Sequence, residues 1–252
     1  MKTFSMREKE IDGLLLIDKP KTWTSFDVCN FVKHRFRVKK VGHTGTLDPQ
    51  ATGVMIVLLG RYTSFSKLLT EQRKTYCGML HLGIRTDSQD GDGKVVEEKP
   101  WQHIKSEDIF SHTKKFTGSI LQCPPMVSAV KHQGKRLYKL ARAGQVVERQ
   151  PRPITIYSFE IGTIDLPRVH FSVEVSKGTY VRTLVEDFGA ALGSTAFLES
   201  LCRVSVGSYR LENCVSLETL EKLQGPEELK PYLIRELREG HYTSTQEPVS
   251  AA

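Results

Sequence analysis

Apolar and polar positions run in several distinct rhythms along this chain. Gly13 to Ile17 is a short apolar stretch ending in Asp18-Lys19-Pro20, and Val54 to Gly60 is a second one; both predict buried strands. Lys74 to Ile84 predicts another strand, and the Asp/Gly-rich stretch Thr86 to Gly93 predicts turns. Val169, Phe171, Val173 and Val175 share one face at period two, and Ile154 to Gly162 alternates in the same way. Elsewhere the rhythm is helical. Phe26, Cys29, Val32 and Phe36 predict a helix over 25–36, opened by the capping-box spacing of Thr24 and Asp27. Val181, Leu184, Val185, Phe188 and Leu192 form one stripe and predict a helix over 180–192, with Thr179 as N-cap and Gly193 as its stop. A further helix is expected within Pro100 to Gly118, and short helices after about 212 with Ser216 as a cap. Val38 to Gly53 is expected to be a loop, Cys123-Pro-Pro-Met126 breaks any regular element, and the small polar tail 241–252 is expected to be disordered. Strands and helices mix without regular β-α-β alternation. The pattern therefore predicts an α+β fold built on a central, mainly antiparallel mixed sheet flanked by helices and loops.

Composition narrows the class. The 252 residues suit one large domain or one with a small appendage, and 39% hydrophobic with 26% charged residues excludes an extended disordered chain. The longest apolar run, Val54 to Leu59, is six residues, far short of the roughly 20 that a membrane helix needs. Met1 to Glu10 is charged and lacks a signal-peptide core, so a cytoplasmic location is the expectation. Five widely spaced cysteines offer no metal cage and are expected to be reduced and mostly buried. The net charge of +7 is concentrated. Lys33 to Lys40 holds five cations and no acid, and Lys131 to Arg152 holds seven Lys or Arg against the single Glu148. Two such runs predict phosphate contacts, hence a nucleic acid partner, with Leu137, Tyr138 and Leu140 interleaved to stack on or pack against RNA.

The richest candidate chemistry lies in Val41 to Val54, where three glycines, a proline and three threonines surround one carboxylate, Asp48. Loops placed by rigid strands often carry reactive groups. Taken alone, Asp48 before Pro49 also reads as a turn residue, and His43 as a hydrogen-bonded loop histidine.

With its companions the loop resembles a known motif. Gly-His-Thr-Gly-Thr-Leu-Asp-Pro-Gln-Ala-Thr-Gly over 42–53 is similar to the catalytic-aspartate motif of the TruB family of pseudouridine synthases. The other matching stretches, in order, are Leu14 to Pro20, Lys74-Thr75-Tyr76, Thr86-Asp87 through Asp90, Ser176 to Leu184, and Leu198 to Arg203, so that the resemblance extends over about 11–210. It implies the pseudouridine synthase fold and conversion of uridine to pseudouridine at position 55 in the T-loop of tRNA. The base is detached from ribose at N1, turned, and rejoined through C5 after flipping out of its stack. Asp48 matches the catalytic carboxylate, which attacks the sugar or abstracts a proton; the sequence leaves both routes open. Arg182 matches the arginine paired with it, and a fixed cation keeps a desolvated carboxylate ionised. Tyr76 matches the tyrosine that stacks on the flipped uracil and assists proton removal. Tyr180 and Leu201 match pocket-lining positions, and His43 one that supports the T-loop; Lys19 and Pro20 are expected to support the Asp48 loop rather than touch the base.

The resemblance implies a catalytic domain over 1–210 whose insertion at about 124–152 grips the T-stem-loop through Lys131, Lys135, Arg136, Lys139 and Arg142. A short C-terminal helical segment and tail, 211–252, would stand where relatives carry a PUA domain. No metal, cofactor or bound nucleotide is implied, and the chain shows no glycine-rich phosphate-loop signature. A monomer is expected, with tRNA as partner and no membrane. Two other readings stay open: the same chemistry on ribosomal RNA with guide proteins, against which the short C-terminal stretch speaks, and a non-catalytic RNA-binding protein, against which the presence of Asp48, Tyr76 and Arg182 speaks.

Overall fold

The computed structural model describes residues 11–128 and 130–236. Strand β1 (Gly13–Lys19) leads into α1 (Ser25–Arg35), then β2 (Val41–His43) and β3 (Thr52–Leu59). Helix α2 (Ser66–Thr70) precedes β4 (Lys74–Leu82), and β5 (Ile84–Thr86) pairs with β6 (Val95–Glu98). Next come α3 (Ser106–Thr113), β7 (Gly118–Gln122), the two-residue strands β8 (Lys131–His132) and β9 (Lys135–Arg136), and α4 (Leu137–Arg142). The long hairpin β10 (Arg152–Asp165) and β11 (Arg168–Val175) is followed by α5 (Val181–Ala191) and β12 (Ala196–Val206). The described chain closes with β13 (Tyr209–Arg210), β14 (Val215–Ser216), α6 (Leu217–Lys222), α7 (Pro226–Leu229) and β15 (Leu233–Ile234).

Among the described residues the main sheet runs β14-β1-β3-β12-β4-β11-β10-β7, with β2, β13 and β15 attached at its flanks. Its pairs are antiparallel except β1 with β14 and β3 with β12. The sheet is thus mixed and mainly antiparallel, as the pattern predicts. Strands β1 and β3 are apolar throughout because both faces are covered: Leu15, Ile17, Met55 and Val57 pack with α1, α6 and α7, while Leu14, Leu16, Val54 and Ile56 pack with Leu69, Val206 and Tyr209. The stripe of α5 lies on Leu80, Phe159, Phe171 and Val173. Burying each such side chain contributes about 1.5–3 kcal/mol, which is why the apolar rhythm decides the layout.

The two-residue parallel contact between β3 and β12 places the site. Cys202 stands opposite Thr52, and Arg203 opposite Gly53. Gly53 has φ +101°, and a Cβ there would lie 2.3 Å from the Arg203 carbonyl oxygen, so only glycine allows this approach. The loop carrying Asp48 therefore empties into the middle of the sheet.

Several expectations need correction. Val41–His43 is a strand pairing with Val57–Leu59 rather than loop. The strand expected over 74–84 is divided at Gly83, which has φ +91°. The helix expected within 100–118 is confined to Ser106–Thr113 and a short 3-10 turn, because Trp101–Ile104 forms its own turn. Thr24 and Ser216 do cap α1 and α6. Thr179 does not cap α5; Tyr180 is the N-cap, and the Gln122 amide clasps its backbone, accepting from Tyr180 N–H at 2.8 Å and donating to its carbonyl at 3.1 Å. The five cysteines are free as expected, yet Cys77 is exposed and the other four are half-buried. Leu137 and Leu140 are buried and face the protein, not a partner. The tail 241–252 and the side chain of Arg142 lie outside the described residues. No helix among the described residues is long and apolar enough to cross a membrane.

Candidate active site

The loop between β2 and β3 is held from four sides. Ser25, at the start of α1, accepts from Leu47 N–H at 2.9 Å and donates to Leu47 O at 3.2 Å. Lys19, fully buried, donates to Pro49 O at 3.0 Å, and to Pro20 O and Trp23 O at 2.8 and 2.7 Å. Its part is therefore to support the loop, as expected. Arg203, only 1% exposed, donates through Nε to Val54 O at 2.7 Å and through Nη2 to Gly45 O at 3.3 Å. The fourth side is Arg182, and it meets the carboxylate itself.

Arg182 sits in the first turn of α5 and its side chain is 4% exposed. Its Nε lies 2.9 Å from Asp48 Oδ2, and its Nη2 donates to Asp48 Oδ1 at 3.4 Å. The remaining N–H groups donate to Ser88 O at 2.8 Å and Val127 O at 3.0 Å, with Asp90 Oδ2 at 3.7 Å from Nη1. The Asp48 side chain is 42% exposed, so the cation is sealed while its anion opens to solvent. That asymmetry leaves a fixed carboxylate facing a cavity.

The cavity is about 270 Å³ and is lined by Asp48, Tyr76, Tyr180, Arg182 and Leu201 together. Five of the residues expected at the site thus converge, though they come from the β2–β3 loop, β4, the start of α5 and β12. His43 lines an adjoining cleft of about 900 Å³ that shares Asp48 with the smaller cavity. Arg136 reaches that cleft; Lys131, Lys135 and Lys139 stand on β8, β9 and α4. No cluster of three or more His, Cys, Asp or Glu among the described residues has the arrangement of a metal site.

Sequence reasoning missed two buried cations in the same cavity. Arg203 is one. Lys74 is the other: its ammonium donates to Thr70 O and Gln72 O, each at 2.7 Å, and burial, reinforced by Arg203, pulls its pKa down to about 8. Burial likewise lowers Lys19 to about 8, with Asp48 acting in the opposite direction. The one signal available beforehand was a charged residue inside an apolar strand pattern, which demands an internal partner.

His43 is held neutral. Burial and then the Arg203 charge push its pKa below the usual 6.5, and Gly45 N–H donates at 3.3 Å to Nδ1, the lone pair a second proton would need. Because the folded value lies below the unfolded one, the unfolded chain takes up the proton first as pH falls. The stability contributed by neutral His43 is complete above about pH 6.5 and is lost as the pH drops through the folded value. Melting curves at pH 7.5 and pH 5 should therefore show a larger fall in Tm for the wild type than for His43→Gln. Equal falls would show that His43 is not buried neutral.

The chain is similar to known proteins. The model described as TruB family pseudouridylate synthase, N-terminal domain, matches residues 33–181, and the tRNA pseudouridylate synthase B C-terminal domain matches 182–238. The chain is 46% identical over 213 residues to the protein named tRNA pseudouridine synthase B of Geobacter sulfurreducens, covering 84% of this chain and 70% of that one. It is 44% identical over 219 residues to the protein of that name from Opitutus terrae, covering 87% and 91%. Among solved structures, a Cbf5-Nop10-Gar1 complex aligns with TM-score 0.64 at 30% identity over 82% of this chain, which spans about half (52%) of that one.

Proposed function

This chain belongs to the TruB family of pseudouridylate synthases, and we propose that its cleft converts uridine to pseudouridine at position 55 in the T-loop of tRNA. The observation that carries this reading is the meeting of Asp48 and Arg182, 134 positions apart, at 2.9 Å on the wall of a cavity of about 270 Å³. In the reaction the C1′–N1 bond breaks, C1′ bonds to C5, the C5 proton leaves and N1 gains one. Atoms balance within the nucleoside, so the residues need only position, ionise and move a proton.

Each residue then has a part. Asp48 supplies the ionised carboxylate for glycosidic cleavage, and Arg182 fixes its orientation and charge. Tyr76, buried on β4, offers its ring to the extruded uracil and its hydroxyl near C5. Tyr180 and Leu201 close the cavity around the base. His43, in the adjoining cleft, supports the rearranged loop of the RNA. The insertion at 124–152 grips the stem through Lys131, Lys135, Arg136, Lys139 and Arg142, and the protein acts as a monomer. The C-terminal stretch 211–236 packs Leu217, Leu220 and Leu229 into the core beside β1, so it steadies the catalytic body rather than forming a separate module.

The direct test maps pseudouridine on an unmodified T-stem-loop. Wild-type protein should modify the T-loop uridine, and Asp48→Asn should abolish product while affinity stays within about threefold, since the exchange removes no attraction for phosphate. Product at another uridine, or turnover by Asp48→Asn, would refute the assignment. Neutralising Lys135, Arg136 and Lys139 together should make the salt dependence of binding shallower, by about 0.7–0.9 in log–log slope for each phosphate that is no longer neutralised. An unchanged slope would mean that these side chains face solvent only.

A further inference from the structure

Phe26 is 68% exposed, in the first turn of a helix whose Val28 and Val32 are fully buried. A single exposed ring needs no explanation. This one has company: it lines the cleft of about 900 Å³ with Asp48 and His43, and Met126, Val127 and Val146 line the same cleft. Val127 and Val146 are exposed as well, Val146 by 81%. Phe110 and Tyr232, the other large exposed rings among the described residues, line neither this cleft nor the small cavity.

The ring is also held in place. Thr24 and Asp27 cap α1 reciprocally, with Asp27 N–H donating to Thr24 Oγ1 at 3.0 Å and Thr24 N–H to Asp27 Oδ2 at 2.9 Å. Ser25, its immediate neighbour, is bonded on both sides to Leu47, the residue before Asp48. Thr22 N–H donates to Pro49 O at 2.9 Å. The backbone of Phe26 is thereby fixed relative to the Asp48 carboxylate.

We propose that Phe26 is a stacking platform for an unpaired base adjoining the target nucleotide of the substrate RNA, seated in the larger cleft while the target base occupies the smaller cavity. The inference rests on the RNA-modifying reading above. A nucleotide entering the small cavity is covalently joined to its neighbours, and the larger cleft borders that cavity, sharing Thr46, Leu47, Asp48, Val127 and Ser128 with it. The larger cleft offers a base what it needs: an aromatic face from Phe26, aliphatic surface from Val127 and Val146, and the Arg136 cation for a phosphate. A base stacked on an aromatic ring gains affinity whatever its identity, because every base has a π-face.

Kinetics on a T-stem-loop, with 2-aminopurine placed in turn on the 5′ and 3′ sides of the target, test this. Phe26→Ala should raise KM roughly tenfold, the lower part of the range for one stacked base, with kcat within about twofold. Phe26→Trp should restore wild-type KM, Phe26→Leu should restore it only in part, and the fluorescence quenching seen with wild type at one flanking position should vanish in Phe26→Ala. Unchanged KM and quenching in Phe26→Ala, or a fall in kcat at constant KM, would overturn the proposal. Wild-type turnover in the same series reports separately on the catalytic reading, since it does not depend on Phe26.

Discussion

A guanidinium taken out of water must find acceptors for its N–H groups, and Arg182 has four contacts of 3.4 Å or less on three separate segments. The β2–β3 loop supplies Asp48, the turn after β5 supplies Ser88 O and, more distantly, Asp90, and the start of the insertion supplies Val127 O. Losing any of these would leave a buried cation partly unpaired, which typically costs several kcal/mol. Arg182 thus acts as the node through which the Asp48 loop, the pocket wall and the proposed RNA-gripping insertion are kept in register. Because the bond to Val127 belongs to the insertion, its position and that of the carboxylate are mechanically joined.

The second buried guanidinium, Arg203, does for the backbone what Arg182 does for the carboxylate. It stands where β3 and β12 touch for only two residues, and it ties Gly45 and Val54 from the two ends of the Asp48 loop. Its charge also helps to keep His43 neutral and to lower Lys74. Three buried cations, Arg182, Arg203 and Lys74, line the cavity, and Asp48 is the carboxylate among them. A lone carboxylate would repel the phosphates of an RNA substrate; set in this field it does not.

Much of the fold was legible because its signals are local. The α1 capping box, the Ser216 cap, the stripe of α5 and the alternation in β11 are all readable within a dozen residues, and the structure contains each of them. What could not be read depends on distant partners. Gln122 takes over the α5 N-terminus from 58 residues away, displacing Thr179 as the cap. Arg203 bonds to carbonyls 149 and 158 positions distant, so its role is invisible until β3 and β12 are side by side. Leu137 and Leu140 lie within a basic run, yet they turn inward because a six-residue helix must bury one face. The convergence of Asp48, Tyr76, Tyr180, Arg182 and Leu201 on one cavity followed from family resemblance; periodicity and composition alone placed them only in strands, a loop and a helix.

The most direct test replaces Arg182 by Lys and follows single-turnover pseudouridine formation beside thermal stability. Lysine keeps the charge but has three donors on one atom, so it cannot span both Asp48 oxygens and the two carbonyls at once. We expect a rate lower by about 100-fold or more at a temperature where the variant is still folded, the scale for losing an oriented charge partner in a preorganised site, with Tm lowered by about 6–20 °C, as a loss of several kcal/mol implies. A near-normal rate, or a rate that falls only in step with unfolding, would contradict the role given to this ion pair.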